Sequence, residues 1–119
     1  MEATAYRWED VNEDNPIPLL TRRIVCGERM MAARVRLAKG CHVVPHQHES
    51  EQIAILLSGH VRWSINPEGS PEHRYVEQCG GEVMVLPSMV VHGIDIIEDA
   101  EIMDILTPIG PMGVDKQGH

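Results

Sequence analysis

Three histidines and a glutamine carry the chemistry that this sequence offers. His46 and His48 form an H-x-H pair, Gln52 follows, and an apolar run then leads to Gly59. Residues two apart in an extended chain share a face, so His46, His48 and Gln52 converge unless a bend near Glu49-Ser50 intervenes. A second segment, Gly81 to His92, supplies another imidazole after a turn at Pro87. Three imidazoles and a carboxamide oxygen suit one divalent transition metal, with zinc, nickel, iron and manganese all open. An isolated H-x-H pair would read as two loop histidines facing water; Gln52 and the placed His92 tip the reading to ligation. Gln52 is the expected oxygen donor, although it could stand behind the ligands while Glu51 turns in. Neutral ligands leave the charge of the ion uncompensated, which favours an anionic small-molecule ligand and acidifies bound water. His42 has the same parity as the pair, His60 and His73 look outward, and His119 belongs to a frayed tail.

Asp104 is the candidate acid or base. It stands in the apolar stretch Ile102-Met103-Asp104-Ile105-Leu106, where parity sets it with Ile102 and Leu106. Either it faces outward with Met103 and Ile105 inside, or it lines the metal pocket and moves a proton. Arg34, Arg36 and Arg62 could hold an anion but fall on the expected solvent face. Trp63 and Met84 read as core or pocket wall.

The elements that must position these groups are short strands. Arg23–Cys26, Met30–Leu37, Gln52–Leu57, His60–Ile65, His73–Cys79, Glu82–Leu86, Val90–Ile97 and Glu101–Leu106 alternate or run apolar between turn formers. Ser58-Gly59 reads as a hairpin and Glu98-Asp99 as a tight turn. Residues 1–22, with Pro16 and Pro18, form an N-terminal arm packed on its own barrel; residues 23–107 form the barrel and 108–119 a tail. No segment keeps a helical period. The expectation is an all-β barrel or jelly roll of two packed antiparallel sheets.

Composition narrows the function. The chain has 119 residues, no Phe and a net charge of -8, which argues against nucleic acid or an anionic membrane as partner. Cys26, Cys41 and Cys79 are too few and too scattered for a disulfide framework, so buried free thiols in a reducing compartment are expected. The N-terminus lacks the charge and apolar pattern of a signal peptide, and no apolar run could span a bilayer. A cytoplasmic protein is the reading. The Pro-rich arm and an exposed sheet edge point to a homodimer.

The two histidine segments resemble the paired motifs of the cupins. The first motif runs Gly, five residues, His-x-His, three residues, Glu, six residues, Gly; here Gly40, His46, His48 and Gly59 match, with Gln52 in the Glu place. The second runs Gly, five residues, Pro-x-Gly, two residues, His, three residues, Asn; Gly81, Pro87 and His92 match, with Met89 and Ile96 departing. Among small cupins the chain looks like the KdgF-type pectin-degradation proteins, which also set Glu-Gln after His-x-His and end in Pro-x-x-x-x-His-Gly, as Pro87 to Gly93 does. That resemblance implies His46, His48, Gln52 and His92 as metal ligands, Asp104 as a catalytic residue, and a lyase or isomerase acting on unsaturated monouronates. Leu106 and Gly110 stand where those proteins carry Phe and Arg, so the uronate substrate is not carried over. What remains is a metal-dependent lyase or isomerase on a small oxygenated acid or sugar derivative. An iron dioxygenase and a non-catalytic metal or ligand sensor are the alternatives.

Overall fold

The computed structural model describes residues 2–116, so the His119 expectation lies outside the described residues. Eight strands follow a short N-terminal 3-10 turn: β1 Glu13–Ile17, β2 Leu20–Cys26, β3 Met31–Leu37, β4 His42–His46, β5 Glu51–Ile65, β6 Arg74–Cys79, β7 Val83–Leu86 and β8 His92–Thr107. All pairings are antiparallel, and the order is β1-β2-β3-β8-β5-β6, with β4 on β8 and β7 on β5. No hydrogen-bonded ring closes among the described residues. Among the described residues no helix is long and apolar enough to cross a membrane.

The long strands β5 and β8 correct the expected hairpin at Ser58-Gly59 and the turn at Glu98-Asp99. Each is one strand that bends between two layers and pairs with a different partner at each end. The β5–β8 register shifts between Leu56 and Val61, where Gly59 takes φ +98° and a methyl group would collide with the backbone of Asp99 and Ala100. Turn-forming residues here mark bulges that bend paired strands. The jelly roll results.

Alternation packs the interior. On β3, Met31, Ala33, Val35 and Leu37 are buried while Arg36 is exposed and Arg34 half-buried, so the arginines lie on the outer face as expected. Ile94, Ile96, Val61, Trp63 and Ile65 from the other layer complete the core. The N-terminal stretch is more regular than its prolines suggest: β1 contains Pro16 and pairs with β2, which begins at Leu20, before the expected Arg23. β1 is an edge strand, where proline's missing donor costs no ladder bond. Of the three thiols, which are all free, only Cys41 is buried; Cys26 and Cys79 are exposed, at strand ends beside turns.

The Pro87–Val90 turn carries Met89 at φ +68°, at the motif place for glycine, and Met89 N–H donates to His48 O at 2.9 Å. A side chain there is strained, so Met89→Gly should raise stability by about 1 kcal/mol, or roughly 3–5 °C in a thermal melt. An unchanged or lower melting temperature would show that the turn relaxes around methionine without cost.

Candidate metal centre

Each histidine is placed by a different local device. His46 ends β4, His48 lies in the following loop, and His92 opens β8 directly across from His46. A register shift between Val43 and His46 turns the chain over. That bulge is why His42, expected to share parity with His46, instead points out to Asp95, with Nδ1 and Oδ1 2.6 Å apart. Gly93 makes room for β4, because a methyl group at 93 would press on Val43 O at 2.8 Å. The bend at Glu49-Ser50 is present, yet Gln52 still turns inward and is buried.

The three imidazoles share one tautomer. His46 Nδ1 lies 2.9 Å from Val44 O, His48 Nδ1 2.9 Å from Ser50 O, and His92 Nδ1 3.0 Å from Val90 O. A carbonyl only accepts, so each Nδ1 carries the proton and each Nε2 is the nitrogen left with a lone pair to offer. One ring nitrogen from each lies within 4.8 Å of the others, a grouping that can hold a metal ion. The ring centroids of His46 and His92 are 4.4 Å apart and those of His48 and His92 5.0 Å. Burial, together with the neighbouring His46 and His48, pulls the His92 pKa down to about 4, so its nitrogen stays available as a ligand at neutral pH.

Gln52 joins the histidines to Asp104. Its Nε2 donates to Asp104 Oδ1 at 2.8 Å, and its Oε1 lies 3.1 Å from His48 Nε2. With His48 and the amide oriented by their other bonds, both atoms present lone pairs to the same point, as two ligands of one cation would. Ligands at right angles around an ion with bonds near 2.1 Å lie about 3.0 Å apart, so this separation also fits two donors of one ion. The donor set fits a divalent transition metal on these grounds.

Asp104 points inward, which decides between the two readings of its strand: Ile102, Asp104 and Leu106 are 3%, 6% and 0% exposed, and Met103 and Ile105 lie on the other face. Its cross-strand neighbours Ala33 and Ala54 leave room beside it. Burial pushes its carboxyl pKa up to about 7, against the Gln52 bond that favours ionisation. Arg22, His46, Gln52, His92 and Asp104 line a common cavity of about 50 Å³, with Trp63 in its wall. His60 and His73 stay away from it, His60 3.6 Å from Glu77 and His73 hydrogen-bonded to Ser64. Arg62 lies outside on Tyr75, and Met84 packs half-buried on the core.

Two contributors were missed in the sequence. Arg22 fell in the expected arm, yet it is 6% exposed and reaches the cavity. The segment after β8 was expected to be a tail, yet Met112 and Val114 are buried over the cavity and Gly113 sits against the His46 ring. The signal for the latter was present in the apolar Met112 and Val114.

A family model described as cupin matches residues 18–103. Among solved structures, KdgF from Halomonas sp. is similar at 26% identity, TM-score 0.75, over 90% of this chain and 96% of that one. An RmlC-like cupin from Shewanella frigidimarina is similar at 17% identity, TM-score 0.78, over 92% and 93%. Oxalate decarboxylase from Bacillus subtilis, described with Mn(II) centres, gives 19% identity and TM-score 0.77 over 90% of this chain but 31% of that one. No curated protein matches the chain.

Proposed function

The chain belongs to the cupin family, and from that premise we propose that it is a metal-dependent lyase or isomerase acting on a small oxygenated acid or sugar derivative. The observation that carries this reading is the grouping of the His46, His48 and His92 imidazoles within 4.8 Å of one another, with a buried, Gln52-bonded Asp104 that shares a cavity with His46 and His92. His46, His48, Gln52 and His92 are the proposed ligands. A divalent ion, when bound, supplies Lewis-acid polarisation of a carbonyl or hydroxyl oxygen. Asp104 takes the proton from the carbon beside that oxygen and returns it at product formation. Burial near neutrality suits this role, because the group must both accept and release a proton at working pH. Gln52 holds the carboxylate by its Nε2 and so fixes its direction.

The test is a substrate screen of protein loaded separately with zinc, nickel, manganese or iron, using small hydroxy acids, oxo acids and sugar acids. Turnover that needs the metal but no oxygen is the expected result. Oxygen consumption with iron alone would make the protein a dioxygenase. The smallness of the cavity favours one second reading, a sensor that binds metal without turnover, and metal uptake with no reaction in the whole screen would support it.

A homodimer is part of the proposal, and its support lies in the outer sheet face rather than in the arm. Cross-strand rows Ala32–Ile105–Ile53–Val85 and Met103–Ile55–Val83 put apolar side chains side by side on four strands. Ile53, Val83 and Val85 are exposed, with Leu57 next on β5. Such a contiguous face suits a second copy. Val85→Glu should then convert a dimer to a monomer in light scattering; an unchanged mass would place the interface elsewhere. The exposed free thiols Cys26 and Cys79 support a reducing, cytoplasmic setting.

A further inference from the structure

Arg22 holds two carboxylates at once. Its Nε and Nη2 donate to Asp14 at 2.9 and 3.1 Å, and its Nη1 donates to Asp115 Oδ2 at 3.1 Å while Nη2 also contacts Asp115 Oδ1. Asp14 comes from β1, whereas Asp115 comes from the C-terminal strap of residues 110–116. Asp115 Oδ2 also accepts from Met112 N–H at 3.2 Å, so the strap is folded around the carboxylate that it presents. Met112 and Val114 line the cavity, and Gly113, at φ +84°, packs so tightly on His46 that a methyl group would overlap its ring. The cavity of about 50 Å³ left beneath the strap has room for a few waters and no more. The strap narrows the space beside His46 and His92 below what a substrate of several heavy atoms needs.

We propose that Arg22 is the anchor of a monocarboxylate subsite beside the histidine cluster, and that the strap occupies this subsite with its own Asp115 until a small carboxylate displaces it. The planar two-oxygen grip that Arg22 gives Asp115 is the grip a ligand carboxylate would receive. Charge sets the class. Arg22 with Asp14 is neutral overall, so one further negative charge is tolerated where a phosphate dianion is not. The neutral donors around the proposed metal leave that ion's charge to be met, which adds to the preference for an anion in the cavity. This last point rests on the metal reading; the competition between Asp115 and a ligand for Arg22 does not.

The experiment is an NMR titration of the full chain with lactate, against propane-1,2-diol as the uncharged control, run on zinc-loaded and on metal-free protein. A strap closed nine-tenths of the time lowers apparent affinity about tenfold, so Asp115→Asn should tighten lactate binding by about that factor. The diol should show no such gain. Adding Arg22→Gln to Asp115→Asn should abolish lactate binding. Where that double variant fails to melt cooperatively, Arg22→Lys in the same background decides instead, because it keeps the charge and loses the fork, and weaker binding is expected. Equal lactate affinity in wild type and Asp115→Asn overturns the proposal, as does full binding without the Arg22 fork. Zinc uptake measured on the same samples separates the two readings: its absence removes the metal centre and leaves the lactate comparison standing.

Discussion

Replacing His92 by alanine is expected to strip the protein of its metal. His92 is 3% exposed, faces His46 across the β4–β8 pairing, and is fixed by Val90 O. Its loss leaves two imidazoles and Gln52. Disturbing even a group that only orients a ligand costs about 10- to 100-fold in metal affinity, so losing a ligand itself should cost more than about 100-fold. His46→Ala should do the same. His42→Ala is the matched control, because His42 lies on the opposite face with Asp95. Metal per chain after zinc loading and gel filtration is the measurement: near one in wild type and His42→Ala, near zero in the other two. The melting temperature should follow, since an ion bound only to the folded state raises it by mass action. A His92→Ala protein that keeps a full equivalent would remove the ligand set.

The histidine segments were legible because metal ligation demands residue type and spacing together, and both survive in a linear sequence. His46, His48 and His92 do meet, and strand alternation correctly put Val35 and Leu37 inside and Arg36 outside. Parity failed at His42, where a bulge inserts a residue, and bulges leave little trace in a pattern of period two. It also failed to separate bends from turns at Gly59 and Asp99, since the same residues serve both and only long-range pairing tells them apart. Asp104 could not be assigned a face from an apolar stretch that is equally greasy on both sides; its inward position depends on pairing with Ala33 and Ala54. Arg22 was hidden for a different reason. Its burial is stabilised by Asp115, which stands 93 positions away in sequence.

Asp104→Asn should act in two opposite directions. In metal-free protein the carboxyl titrates near pH 7 when folded and near its ordinary 3.8 when unfolded, because burial penalises the charged form. The folded state therefore bears no penalty below both values, an increasing one as pH rises between them, and the full penalty above 7. Each pH unit of that window is about 1.4 kcal/mol, so the stability gained by Asp104→Asn should grow to on the order of a few kcal/mol from acid to neutral pH, then level off. His92, whose lowered pKa costs stability as pH falls, is common to both proteins and cancels in the difference. Any price for the extra amide protons of Asn shifts the curve without giving it a slope. Chemical denaturation of both proteins at several pH values after chelation measures this; a difference independent of pH would mean that Asp104 ionises freely in the folded state. Turnover should move the other way, falling by about 10²- to 10⁴-fold as the proton carrier is lost, while bound zinc stays near the wild-type level. Loss of metal together with activity would assign Asp104 to holding Gln52 in place. Retained activity would move the proton to another group. A protein made more stable and less active by one isosteric change is what a carboxylate kept in an apolar wall for its chemistry predicts.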